Sequence, residues 1–473
     1  MKITNSVPSR FINAIRRSFR QFLALPLATV AGFVGLNALV YLGDRSWSGG
    51  QAPIGFRWLG ELLGDSAALG SLLTTVASGI ITVTSITFSL LLLAVQQGAA
   101  ALTAQVTDQF MARRTNQLYF GYFVGLSVFV LMTLVTNTSF HRPVFGTTLA
   151  LLLTTSALCL IIVMIYNTID QMRPQQIIHF IHGKVLEARG EDLRLLAATR
   201  RASRQDWPIA ALVRSRESGY VVGFDLARIE KVIGQHAPGV VEIDFDISVG
   251  SYRAVHDPLF RVRCAPGFTL AAETRETIVA ETLSALAYDD GRDLRHDSTY
   301  GIHQLSIIAW TSVSTSKSNP SPGLSVIQAL RDIISQWSTG ESHTPEDPTS
   351  SIVYTDVAPT TATDALEAVI VAASESIQSQ TLTEAVTTLD ILLRHVEQPT
   401  AERLADIANR TLSSLGEHVL TRQLEAALAD LAKALAERGF VTVAGAVSKA
   451  LADLAASLGK LNSRSTRVPD TTA

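Results

Sequence analysis

SLLTTVASGIITVTSITFSLLLLAVQQ, residues 71–97, carries no charged side chain, and the uncharged run around it extends from Ser66 to Thr107. A helix needs roughly 20 apolar residues to cross a bilayer, so this stretch is long enough to span one. It is not uniformly apolar. Ser71, Thr75, Ser78, Thr82, Ser85, Ser89 and Gln96 recur at alternating steps of four and three, with Leu92 filling the one gap. That spacing puts them on a single helix face. The stripe has two readings. Small hydroxylated residues let helices approach closely and hydrogen-bond within a bundle. Alternatively, they line a water-filled path in an oligomer, where hydroxyls partly replace an ion's hydration.

The rest of the chain divides around this helix. It has 473 residues, 47% hydrophobic and 17% charged, with a mean hydropathy of +0.26. The apolar excess lies before residue 170, which indicates a membrane part followed by a soluble part. A net charge of -3 gives no sign of a nucleic-acid partner. The two cysteines, Cys159 and Cys264, fall one in each part, so neither a disulfide framework nor a zinc spacing exists.

Four spans are predicted, at about 22–42, 71–97, 118–135 and 147–167, making a transmembrane domain over 22–170. The basic leader 1–21, with Lys2, Arg10, Arg16, Arg17 and Arg20, precedes the first span. No small-x-small site ends that span, which favours an uncleaved helix over a signal peptide. Under the positive-inside rule the leader lies in the cytoplasm. Residues 43–65 form an external loop whose Trp47, Phe56 and Trp58 suit the interface. Arg113 and Arg114 mark the next loop as internal, with contact to anionic lipid headgroups as a secondary role. Gly121 and Gly125, four apart in the third span, allow close helix packing.

Residues 171–209 read as a connecting helix interrupted near Gly190. A small β-rich domain follows over 210–268, because 218–225, 240–252 and 258–264 alternate apolar and polar residues. Residues 269–337 return to helical spacing and contain a polar loop. Residues 352–461 form a helical bundle rich in Ala, Leu and Glu, and 462–473 have the composition of a disordered tail. The fold class is therefore an α-helical membrane protein of four transmembrane helices with a cytoplasmic α+β region.

Few residues point to chemistry. His179 and His182 lack a third ligand, so no metal site is expected. Asp289, Asp290, Asp293 and Asp297 do not follow the spacing of a calcium loop and read as a solvated charge run. No phosphate loop, dinucleotide fingerprint or hydrolase motif is present, and neither an enzyme nor a cofactor is expected. The predicted spans contain no Asp, Glu, Lys or Arg, which counts against proton-coupled transport.

The order of several motifs resembles the DUF2254 family of bacterial membrane proteins of unknown function. The resemblance rests on Phe88-Ser89-Leu90 with Ala94-Val95-Gln96, then Phe110, Met111, Arg114, Asn116 and Gln117. It continues through Ser218–Val221, then Pro258, Leu259 and Val262. It ends with Asp297, Tyr300, Gly301, Gln304, Leu305, Ile308 and Ala309. It covers about residues 20–430 and implies topology and domain order, not an activity. The chain departs from the family at Thr103-Ala104-Gln105, where Ser-Pro-Arg is usual. It departs again at Ser318-Asn319-Pro320, where Asn-Asp-Pro is usual.

The functional expectation is a homo-oligomeric, channel-like protein of the bacterial inner membrane. Its second span lies at or near the axis, its soluble region assembles and gates, and both termini are cytoplasmic. The alternative is a membrane-anchored scaffold or sensor whose cytoplasmic region binds a partner or ligand.

Overall fold

A computed structural model describes residues 23–47, 65–101, 113–138, 142–171, 173–204, 206–314, 319–340, 349–411, 415 and 418–456. The basic leader, Phe56 and Trp58, the polar stretch after Ala101 and the tail 462–473 lie outside the described residues. The chain separates into two compact units, Met1–Gln176 and Ile177–Ala473.

The first unit contains α1 (Ala24–Trp47), α2 (Ser66–Ala101), α3 (Arg114–Thr136) and α4 (Val144–Gln171). All four are long and apolar enough to cross a membrane. Helix α3 is central and packs against each of the others. Of its apolar window 44% is buried, against 17–28% for the other three. Glycines make the closest of these approaches possible. A Cβ on Gly121 would stand 2.7 Å from Cβ of Thr29, and one on Gly125 would overlap the Phe33 ring. With no side chain there, Phe33 meets Tyr122 and Phe129 edge-on, at 5.4 and 6.4 Å between ring centroids. Edge-on pairs of this kind add about 0.5–1.5 kcal/mol beyond burial.

Polar side chains tie the helices pairwise. Asn37 Nδ2 donates to Thr133 Oγ1 at 2.9 Å, joining α1 to α3. Tyr122 Oη donates to the Leu153 carbonyl at 3.0 Å, joining α3 to α4. Asn137 Nδ2 donates to the Ser66 carbonyl at 2.9 Å, joining the end of α3 to the start of α2. Asp44 corrects the sequence reading. It is not in an external loop but inside α1, buried, with its carboxylate accepting from Phe145 N and Gly146 N at 3.0 Å each. A carboxylate at the first turn of α4 satisfies two donors that have no partner within that helix and opposes the helix dipole. The span region thus does hold one buried acid.

The second unit begins within α5 (Pro174–Ala197). It runs unbroken through Gly190, where a break was expected, and the space around a Cβ at that position is open. Then come β1 (Ile209–Arg214), β2 (Gly219–Phe224), α6 (Leu226–His236), β3 (Val241–Phe245), β4 (Tyr252–Arg253), β5 (Pro258–Cys264), α7 (Ala272–Ser284) and β6 (Leu286–Asp289). Helices α8 (Ser298–Ser314) and α9 (Ser321–Gly340) lead to β7 (Ile352–Val353). The chain continues through α10 (Ala358–Glu375), α11 (Ser379–Leu393), α12 (Gln398–Thr411), α13 (Arg422–Glu437) and α14 (Val441–Ala456). One sheet has the order β1-β5-β3-β7 and the other β4-β2-β6. All pairs are antiparallel except β3 with β7.

Strands β6 and β7 lie outside the expected limits of 210–268, so the β-region draws on the chain up to Val353. The expected helical segment 269–337 contains β6. The amphipathic helix α6 contributes Ile229, Val232 and Ile233, and α7 contributes Ile278, to the same core as Val221, Ile243, Phe260 and Val262 of the sheets. Arg200 bridges to Val353 and pairs with the fully buried Glu242 at 2.8 Å.

The glycine contact in the first unit gives a direct expectation. Gly125→Leu should lower the stability of the helical unit by about 1–3 kcal/mol through overpacking, read as an earlier thermal transition in detergent. Gly35→Leu, at an exposed position of α1 with open space around it, should leave that transition in place. Equal effects from the two would count against glycine-dependent contact between α1 and α3.

Candidate functional site

Among the described residues, the stripe on α2 faces away from the other three helices of the first unit. Ser71, Thr75, Ser78, Thr82, Ser85, Ser89 and Gln96 are all exposed. Leu69, Leu73, Ala77, Ile80, Thr84 and Thr87 are buried. The two sets are offset by two residues, which is about 200° around a helix of 3.6 residues per turn. Packing within the single chain therefore uses the other face. The exposed hydroxyls bond back along their own helix: Thr75 Oγ1 to the Ser71 carbonyl at 2.9 Å, Thr82 to Ser78 at 2.8 Å and Ser89 to Ser85 at 3.0 Å. Hydrogen-bonding of Ser and Thr to the carbonyl four residues back is familiar in helices. It leaves each oxygen with acceptor capacity, since a hydroxyl has two lone pairs.

The other residues singled out from sequence are dispersed. Gly121 and Gly125 lie against α1 and do not meet the stripe. Arg113 precedes α3 and is partly buried, and Arg114, in its first turn, is exposed. His182 pairs with Asp332 at 2.8 Å, and His179 stacks on it at 6.3 Å. Among the described residues no group of three potential ligands assembles around them.

Sequence reasoning missed a buried ionic cluster in the second unit. Asp297, read as part of a solvated run, is 4% exposed. Its Oδ1 accepts from Tyr300 N at 2.9 Å, capping α8, and from Thr299 Oγ1 at 2.7 Å. Arg292 binds both of its oxygens, Nε to Oδ2 at 2.7 Å and an Nη to Oδ1 at 3.0 Å, and lies 4.9 Å over the Tyr300 ring. Gly250, at φ +84°, lies directly beneath this pair, and a Cβ there would overlap the Asp297 carboxylate. One helix turn from Asp297, Gly301 lets α8 close on Val185 of α5.

From α5, Arg189 and Asp192 enter the same cluster. Arg189 makes a two-pronged pair with Asp356, at 2.9 and 2.6 Å, and its guanidinium lies 4.8 Å over Trp337. Planar two-point pairing of this kind is geometrically demanding and strong. Asp192 accepts a hydrogen bond from Ser298 Oγ and lies 3.7 Å from Arg189. Burial pushes the Asp192 carboxyl up to about 6; Asp356 and Asp297 add to this, and Ser298 and Arg189 oppose it. Tyr354, whose Oη accepts from Val249 N at 3.1 Å, is raised chiefly by burial and then by Asp192, Asp356 and Asp297. A cleft of about 200 Å³ opens beside Arg189 and Asp356, walled by Leu193, Trp337, Pro359 and Glu397. The usable sequence signal was the Asp297–Ala309 pattern, whose members Asp297, Gly301, Gln304, Leu305, Ile308 and Ala309 are all buried.

Asp297 holds two roles that substitution separates. Asp297→Asn keeps a cap acceptor and loses the charge, whereas Asp297→Ala loses both and leaves Arg292 buried without its partner. Removing one member of a buried ion pair costs about 3–5 kcal/mol. Unfolding midpoints should fall in the order wild type, Asn, Ala. An alanine variant as stable as the asparagine variant would show that the cap contributes nothing.

No curated protein and no solved structure matches the chain. The family described as a predicted membrane protein, DUF2254, matches residues 20–388, from the first span into α11. The match takes in all four spans, both sheets and the ionic cluster. The chain is a multi-pass membrane protein and belongs to the DUF2254 family.

Proposed function

We propose that the protein is a homo-oligomeric, channel-like protein of the bacterial inner membrane, with α2 of each copy at or near a common axis. The observation that carries this reading is the exposure of the whole Ser/Thr stripe on a helix that buries its opposite face within its own chain. Small residues at a helix surface in lipid favour close helix association. A symmetric assembly would use the same surface of every copy. Hydroxyls along an axis would supply oxygen ligands to a passing solute. The soluble unit would then assemble and gate. Both termini are placed in the cytoplasm, following the basic leader. This reading includes no catalysis.

A second reading is favoured by the cleft beside Arg189 and Asp356. In that reading the protein is a membrane-anchored sensor, and a small ligand or protein partner engages the soluble unit there. Contact with the exposed rim would bear on the Arg189–Asp356 pair, and through it on α5.

The two readings differ in what the membrane does. Cysteines placed at Thr82 and Ser85 should react with a water-soluble thiol reagent in intact membranes if α2 borders an aqueous path. Full protection, with labelling of a control cysteine in a loop, would favour a dry interface. Purified protein in liposomes should pass ions or small solutes, and electrically silent bilayers containing assembled oligomer would remove the channel reading.

A further inference from the structure

The ionic cluster of the second unit has an imbalance that neither reading uses. Three carboxylates, Asp192, Asp297 and Asp356, face two guanidiniums, Arg189 and Arg292. Two pairings are tight: Arg292 with Asp297 at 2.7 Å and Arg189 with Asp356 at 2.6 Å. Asp192 is the remaining acid, held 3.7 Å from an Arg189 already committed elsewhere. The side chain of Asp192 is only 13% exposed, so water solvates it poorly.

The surroundings of Asp192 can be stated element by element. Its own helix α5 presents Arg189. The start of α8 presents Ser298, which donates to it, and Asp297. The segment after β7 presents Asp356 and Tyr354. Other charged groups nearby on α5 are engaged outward: Glu191 with His296 at 2.7 Å, and Glu187 with Lys184. Arg201 lines the cleft beside Arg189 and Asp356, while the charged groups that act on Asp192 itself are Arg189, Asp356 and Asp297.

We propose that one exchangeable proton on Asp192 acts as a latch that sets how firmly α5 is held against the start of α8 and the segment leading into α10. With the proton bound, Asp192 adds no charge beside Asp297 and Asp356. With the proton lost, a third negative charge is confined beside Asp297 and Asp356, and opening of the α5–α8 contact lets water reach it. Asp192 is pushed up to about 6 from an ordinary 3.8, chiefly by burial. Its folded pKa lies above its unfolded value. The closed state is therefore favoured most at low pH, and that advantage is lost as pH rises through about 6. The latch stands apart from the question of whether α2 borders a pore.

Hydrogen–deuterium exchange on the full chain in lipid nanodiscs tests the proposal. Between about pH 5 and about pH 7.5, opening of residues 186–197 and 298–304 should rise roughly tenfold after correction for intrinsic exchange, as linkage with these two pKa values requires. Asp192→Asn should abolish the change and hold these segments at the low-pH protection. His296→Gln removes the imidazole that pairs with Glu191, and it should leave the change in place. A wild type without the change would overturn the proposal, as would an Asp192→Asn variant that retains it. An Asp192→Asn variant that fails to fold at neutral pH would also overturn it, because a neutral side chain is what the closed latch favours.

Discussion

A charge removed from water must find a partner or lose its proton, and the second unit is built around that constraint. Asp297 shows how several segments meet it together. Its carboxylate serves the Tyr300 amide in the first turn of α8, the hydroxyl of Thr299 and two nitrogens of Arg292 at once. The Gly250 turn provides the room, since any side chain there would occupy the carboxylate's space. Arg189 repeats the arrangement on α5, with Asp356 in its plane and Trp337 against its face. Five elements distant in sequence are fixed to one another through these two guanidiniums. A pair of this kind gives little net stability compared with apolar packing, but disrupting it is expensive.

The first unit meets the same constraint in a different solvent. Lipid offers no hydrogen bonds, so backbone polar groups within a span have to be satisfied by protein. Asn37, Tyr122 and Asn137 are each bonded across a helix pair, and Asp44 closes the first turn of α4. These ties supplement an apolar core in which Phe33, Phe123, Leu126 and Phe129 carry the packing around α3. Together they leave α2 with one committed face and one open face.

How much of this could be read from the chain depended on the range of the interactions involved. The four spans were legible because hydropathy is local and accumulates over about 20 residues. The stripe was legible because helical periodicity is local too. Asp44 was misread because a charge at the edge of an apolar run normally marks the start of a loop; its partner lies about a hundred residues further on. Strands β6 and β7 are short, and each is defined by a distant neighbour, β2 and β3 respectively. Their own residues carry too little alternation to reveal them. Arg189 and Asp192 stand three apart on α5 and look like an ordinary surface pair until α8 and the segment after β7 cover them. Asp297 was hidden among acids that are less deeply placed. Only the family-like pattern that follows it distinguished it from Asp289, Asp290 and Asp293.

The open face of α2 has a property that its composition alone does not convey. The hydroxyls of Thr75, Thr82 and Ser89 already donate to carbonyls of their own helix. A neighbour that docks there is not required to supply an acceptor, and when it departs none of these donors is left unmet. At these three positions the surface is therefore equally self-sufficient bare and covered. Contacts made at those positions can form and dissolve without breaking a hydrogen bond, so their lifetime follows shape and the density of packing.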